Sequence, residues 1–432
     1  MKRTLSALAI ALASLLAAGT ARAQTALEEI EADRLLSAHN YRAYPVPDTA
    51  LSAYPLTPAP EGYEPFYIST FARHGSRYLT DMDDYLMPLH ALRRADSLGV
   101  LTPLGRQALA VVDSMARMAR GRIGELTPRG ARQHRGIAGR MYRNFPQVFA
   151  AGAHVHARST QVPRVMLSMT AQCLRLQALN PSLAITNSAS ERDLAVLTPP
   201  STPRVDSIGR LPLLADVQRQ FQARHLRPAR LMGTLFTDPA YAAMVDSIAL
   251  MRKLFSVAAI MQSHDTGLEL LSLFTPQECY ELWRCNNLAW YLPYCNSPLT
   301  HGLMPFRAAR LLLDLLDCAS QALADGVPAA HLRFGHDGNF LPLAALLELD
   351  DWGRPHADPE TLDADWRGYR LLTMACNIQL VFYRNPHGGD TLLKVLLNER
   401  EARLPLPAVT GPYYRWADVE AYYRTKLAAT GY

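Results

Sequence analysis

Three short runs of aromatic, β-branched and small apolar residues in this chain each break off at a charged cluster and give way to a helical pattern. Pro65 to Phe71 runs into Arg73-His74-Gly75-Ser76-Arg77. His154 to Ala157 ends at Arg158-Ser159-Thr160, with a helical stretch from Val162 to Ala178. His331 to Gly335 ends at His336-Asp337-Gly338-Asn339, followed by a helix from Leu341 to Leu349. Strands that alternate with helices call for a mainly parallel sheet covered on both faces, an α/β three-layer sandwich. In such sheets the ligand crevice lies at the carboxyl ends of the strands. Three strand ends carrying Arg, His and Asp can therefore converge on one crevice. Ile378–Tyr383 and Thr391–Leu397 read as two further strands.

The remaining chain sets the domain plan. Residues 186–295 carry helical patterns and few strand signals, which predicts an inserted α-helical domain. Residues 24–185 and 296–432 then form the α/β core. The helix from Thr127 to Phe145 opens on a capping threonine and Pro128, a standard helix start. Apolar residues are 49% and charged residues 19% of 432, which excludes a disordered or low-complexity chain.

The first 23 residues read as a secretory leader. Lys2 and Arg3 precede an apolar run from Leu5 to Ala18, and Ala21-Arg22-Ala23 fits a cleavage site before Gln24. The run is shorter than the ~20 residues that span a bilayer, so no membrane insertion is expected. The mature protein is expected in the periplasm or outside the cell. The formal charge of +5 counts Lys2, Arg3 and Arg22; without them 41 bases face 39 acids. That balance gives no argument for a nucleic-acid partner, and phosphate binding would need a local cluster of bases. Six cysteines (Cys173, Cys279, Cys285, Cys295, Cys318 and Cys376) would meet an oxidising compartment. Cys279, Cys285 and Cys295 cluster, and one local bridge among them is the expectation; the other pairings stay open.

The charged clusters suggest a chemistry. Guanidinium forks of Arg73, Arg77 and Arg158 match phosphate oxygens and stay charged at any relevant pH. His336 adds a further donor. A phosphoryl group held by this set lies beside His74, and histidine can act as a covalent nucleophile. Asp337 can protonate a leaving alkoxide, which favours acidic pH. Such a clamp neutralises charge without a metal or cofactor.

These residues resemble a known pattern. Phe71-Ala72-Arg73-His74-Gly75-Ser76-Arg77 is similar to the R-H-G-x-R-x-P signature of the histidine acid phosphatases, within the histidine phosphatase superfamily. Arg158-Ser159-Thr160, with Arg164 following, resembles the family's second arginine segment, and Phe334-Gly335-His336-Asp337 its distal segment. The resemblance implies an α/β core with a helical insertion. It also implies His74 as nucleophile, Asp337 as proton donor, and Arg73, Arg77, Arg158 and His336 as the phosphate pocket. The family's proline falls at Leu79 here. Tyr78, Leu273-Phe274-Thr275 and Cys376 to Leu380 resemble the inositol-polyphosphate phosphatases, and bacterial phytases are the other comparison. The former typically carry His-Ala-Glu where this chain has His336-Asp337-Gly338, so the donor here resembles the acid-phosphatase and phytase type. Phosphate esters, with phytate and other inositol phosphates among them, are the expected ligands. A phosphate-ester binding protein and a phosphotransferase of the same fold are the alternatives.

Other histidines and bases are set aside. His264-Asp265 is a rival pair, but it follows a helix. His154 and His156 have a metal-compatible spacing with no carboxylate nearby in sequence, and read as structural. Arg164 reads as a structural helix residue, and His134 and His301 as packing or hydrogen-bonding groups.

Overall fold

The computed structural model describes residues 24–45, 55–198, 202–327 and 329–431. The leader and its cleavage site lie outside them. One sheet organises the chain, from β1 (Glu64–Arg73), β2 (His154–Ser159), β3 (Ala184–Ser188), β4 (Ala329–Gly335), β5 (Asn377–Arg384), β6 (Leu392–Leu397), β7 (Arg400–Ala402) and β8 (Tyr413–Arg415). The order is β3-β2-β4-β1-β5-β6-β7, with β8 against β6. The first four run parallel, and β5 begins an antiparallel extension.

Strand β1 lies at the centre and is buried along nearly its whole length. Its alternation divides two apolar layers. Ile68 and Ala72 pack with Ile137, Met141, Val165 and Met169 of the helices Pro128–Asn144 and Pro163–Leu179. Tyr67 and Phe71 face the other layer, with Leu312 and Leu316 of Ala309–Asp325 and Phe340 of Asp337–Leu346. Helices thus cover both faces, as the alternating pattern predicts.

From Glu191 to Asp325 the described residues form helices and connecting segments only. The start expected for the insertion, residue 186, falls inside β3, a short strand that its exposed, polar sequence AITNS did not advertise. The helical stretch also runs on past residue 295 to Asp325.

The cysteine expectation is corrected. All six thiols are free. Cys279 and Cys285 lie on one helix, Pro276–Tyr294, with Cys295 at its C-cap. Six residues of helix rise about 9 Å, whereas bridged Cα atoms lie roughly 4.4–6.8 Å apart. Proximity in sequence here means separation along a helix. Burial pushes the Cys279 thiol up to about 11 and Cys285 to about 12.

Candidate active site

Strand register brings the three charged segments together. Arg73 of β1 pairs with Gly335 of β4, and Ser159 of β2 with Phe334. Parallel strands ending level put His74, Thr160 and His336 on one rim. The rings of His74 and His336 lie 5.6 Å apart, edge to face.

The loop after β1 is held by its own backbone. His74 N–H donates to the Gly335 carbonyl at 3.0 Å, and its carbonyl accepts from Ala375 N–H at 2.9 Å. Gly75 N–H donates to Ser168 Oγ at 3.1 Å, and Ser76 N–H to Gln133 Oε1 at 2.8 Å. Gly75 is required by contact: a Cβ there would lie 2.5 Å from the Gly130 carbonyl oxygen. Gly130, in turn, sits in the first turn of the Pro128–Asn144 helix, where the Thr127 side chain caps its N–H. These loop N–H groups are all spent on the scaffold. Charge on a ligand must therefore be met by side chains.

His74 is buried, and its Nδ1 lies 2.9 Å from the Gly75 carbonyl oxygen. A carbonyl only accepts, so Nδ1 carries the proton and the Nε2 lone pair is left for chemistry. Burial, then the cations Arg73, Arg77 and Arg164, hold its pKa well below the usual imidazole value. Burial and the three cations thus favour the neutral ring.

Arg73 is fully buried. Its Nη1 donates to the carbonyls of Asn40 (2.6 Å) and Thr373 (3.0 Å), and its Nη2 lies 2.6 Å from Asp337 Oδ2. Arg77 donates to the Tyr78 carbonyl and stacks 5.6 Å from the Tyr41 ring centre. The buried Nε groups of Arg73, Arg77 and Arg164 find no hydrogen-bond partner among the described residues. Three orphaned guanidinium donors beside one imidazole call for an anion.

His336 precedes the Asp337–Leu346 helix, and its Nε2 lies 3.2 Å from Thr160 Oγ1. Burial, with Arg164 next, lowers its pKa to about 4. Asp337 opens the helix and accepts from Gly338 N–H at 3.1 Å. Burial pushes its carboxyl up, but Arg73, Arg77, His336 and the Gly338 N–H outweigh it and hold the pKa below the usual carboxylate value. An anionic ester entering this site would compete for Arg73 and repel the carboxylate. Both effects raise the Asp337 pKa and ready it as an acid.

Two arginines exchange roles relative to the sequence reading. Arg158 does not reach the cluster. Strand β2 runs two residues further than expected, so Arg158 shares a face with His154 and His156, opposite Ser159. There it pairs with Asp314, which Arg333 Nε also contacts at 2.6 Å. Arg164 takes the place expected of Arg158. It occupies the first turn of the Pro163–Leu179 helix, and helical side chains lean toward the N-terminus, here toward the strand ends. Burial and the nearby Arg77 lower its pKa to about 10. The signal was available: the His154-x-His156-x-Arg158 alternation continues through the arginine.

The rival groups lie apart from this chemistry. Asp265 is bound by Arg129 and Arg132, and His264 packs 4.5 Å from the Tyr78 ring centre. His156 Nδ1 contacts Thr186 Oγ1 at 2.9 Å, and His331 Nδ1 contacts the Tyr67 hydroxyl at 2.6 Å. Among the described residues no group of three or more His, Cys, Asp or Glu has a metal-holding arrangement. His134 Nδ1 bonds Gln172 Oε1 at 3.2 Å.

A family model for the histidine phosphatase superfamily (branch 2) matches residues 69–398. The chain belongs to this superfamily. It is by family a phosphatase, a hydrolase of phosphate esters. The solved multiple inositol polyphosphate phosphatase of Bifidobacterium longum shares the fold. Its complex with phosphate superposes with a TM-score of 0.74 at 19% identity, covering 90% of this chain and 98% of that one. Its complex with inositol hexasulfate gives 0.72 at 19%, covering 90% and 97%. The phytase of D. castellii gives 0.66 at 13%, covering 95% and 90%. A search of curated protein sequences returns no match. No helix among the described residues is long and apolar enough to cross a membrane.

Proposed function

We propose that this phosphatase hydrolyses phosphate monoesters through a phosphohistidine on His74, in a compartment outside the cytoplasm. One observation carries the reading: His74 Nδ1 is tied to the Gly75 carbonyl while Nε2 is left beside the orphaned donors of Arg73, Arg77 and Arg164. Nε2 attacks phosphorus as the ester P–O bond breaks. The leaving alkoxide takes the proton of Asp337. Water then attacks the phosphohistidine, Asp337 accepts its proton, and inorganic phosphate leaves with Nε2 restored. The three guanidiniums and His336 balance charge that spreads over the phosphoryl oxygens in both steps. No metal is needed in this scheme.

An inositol polyphosphate is the substrate class this reading favours. The B. longum protein, of the same fold, has been solved with inositol hexasulfate. A cavity of about 410 Å³ borders the clamp through Asn40 and Tyr41, and Arg252, Gln222, Asn286 and the ion pair of Lys253 with Asp84 line it. That volume fits a small polar ligand. The leader at residues 1–23 supports export to the periplasm or medium.

The test is a phosphate-release screen over inositol hexakisphosphate, sugar phosphates, nucleotides and an aryl phosphate, run across pH with and without chelator. The reading predicts chelator-resistant turnover that is greatest in acid, with inositol hexakisphosphate among the best substrates. Turnover that chelator abolishes would contradict the mechanism. Turnover of the other esters without inositol hexakisphosphate would contradict the substrate class alone.

A further inference from the structure

One strained residue points to a part of the machinery that lies outside the family-matched residues 69–398. His39 has φ 50° and ψ −117°, a conformation that favours glycine. It is nonetheless a fully buried histidine. Backbone strain of this kind persists only where the surroundings over-determine it, and such sites cluster around active centres.

The surroundings are specific. The His39 ring fits against Gly368 so closely that a Cβ there would lie 2.2 Å from His39 Nε2. The ring centre is 6.5 Å from that of Trp366. Asn287 ties this wall together, accepting from Gly368 N–H at 2.9 Å and donating to the Trp366 carbonyl at 2.8 Å. The His39 carbonyl accepts from Arg42 N–H at 3.0 Å, which closes the turn around the next two residues. Each of those two touches one arginine of the site: the Asn40 carbonyl takes Arg73 Nη1, and the Tyr41 ring lies under Arg77.

We propose that His39, Asn40 and Tyr41 are positioning residues for phosphate-ester hydrolysis: the His39 ring locks a strained turn that presents the Asn40 carbonyl to Arg73 and the Tyr41 ring to Arg77. A glycine would make the same turn without strain. What the histidine adds is a rigid wedge that fixes where the two following groups stand. With Nη1 of Arg73 donating to Asn40 and Thr373, and Nη2 in an ion pair with Asp337, the guanidinium is oriented from both ends while its Nε finds no hydrogen-bond partner among the described residues.

The inference rests on the phosphatase reading of the site, and the experiment separates the two. Wild-type protein and His39→Gly are compared for Tm, for kcat and KM on an aryl phosphate across pH, and for inhibition by inorganic phosphate. Glycine accepts the backbone conformation, so the variant is expected to fold. Its kcat/KM should fall about 10- to 100-fold, as displaced catalytic groups do. Inhibition by phosphate should weaken in parallel. The basic limb of the pH profile should move to higher pH, because a looser Arg73 holds Asp337 less firmly ionised. A folded His39→Gly with wild-type kcat/KM, phosphate inhibition and pH profile overturns the inference. If His39→Gly does not fold, Tyr41→Leu and Tyr41→Phe decide. Leucine should raise KM by about tenfold, equivalent to about 1.4 kcal/mol, and phenylalanine should restore it. Equal KM values for both and wild type overturn the inference. A wild-type protein inert toward every phosphate ester overturns the functional reading and this inference with it.

Discussion

Arg158 and Arg164 lie six positions apart and make opposite predictions. Removing Arg164 takes one of three cations from around His74. Losing one preorganised donor at a developing charge costs about 10²–10³ in rate, or about 2.7–4 kcal/mol of transition-state stabilisation. Arg164→Ala should therefore lower kcat/KM on an aryl phosphate by that factor. It should leave the folded state intact, because burial and repulsion by Arg77 and Arg73 disfavour the Arg164 charge and only Asp337 opposes them. Arg164 also helps hold the His74 pKa down, so its loss lets that pKa rise. The imidazole then protonates at higher pH, and the acidic limb of the rate profile should move upward. Removing Arg158 does something else. Asp314 loses one cation but keeps Arg333 Nε at 2.6 Å. The loss is one charge-assisted hydrogen bond on a side chain 23% exposed, about 1–2 kcal/mol of folding stability. Arg158→Ala should lower the Tm and the denaturant midpoint while kcat/KM stays within about threefold of wild type, a change smaller than the one a lost donor brings. Steady-state kinetics and denaturant titration on both variants settle the order. A rate collapse in Arg158→Ala with near-normal turnover in Arg164→Ala would refute the geometry.

Other expectations follow from single contacts. His74→Ala should abolish turnover while the protein still folds, and activity near wild type in the purified variant would exclude His74 as nucleophile. Asp337→Asn should slow esters with poor leaving groups far more than activated aryl phosphates; equal losses on both would remove the proton-donor role. Gly130→Ala places a Cβ 2.3 Å from the Ser76 carbonyl oxygen. Overpacking of this kind costs about 1–3 kcal/mol, and displaces the loop that carries His74. Circular dichroism melts should show the loss, and an unchanged Tm would contradict the close packing.

The sequence carried more of the site than of the fold around it. His74, Arg73, Arg77, His336 and Asp337 could be read as neighbours because they lie at or just past the ends of β1 and β4, and the parallel register levels those ends. Arg158 was misplaced through one boundary. The β2 pattern was stopped at Ala157, and two further residues of strand turned the arginine toward Asp314. Arg164 reads from the sequence as a structural helix residue because nothing in a helical pattern shows that its first turn abuts the strand ends. The contacts of His39, Asn40 and Tyr41 left no trace in a Pro- and Ala-rich lead-in, since they depend on residues far along the chain: Gly368 against His39, Arg73 on the Asn40 carbonyl and Arg77 over the Tyr41 ring. The cysteine cluster misled for the opposite reason. Closeness in sequence on the Pro276–Tyr294 helix spreads the thiols along an axis. Strand β3 was invisible because it is short and its residues are mostly exposed, with no apolar alternation to mark it.

Whether His74 carries the phosphorus decides the mechanism. Mixing the enzyme with an excess of an aryl phosphate, stopping the reaction in alkaline denaturant and mapping the protein by mass spectrometry reads this directly. One phosphoryl group on the peptide containing His74, absent from His74→Ala and from unmixed enzyme, is the predicted result. A phosphoryl group on any other residue, or turnover with none trapped even when Asp337→Ala slows the release of phosphate, would contradict it.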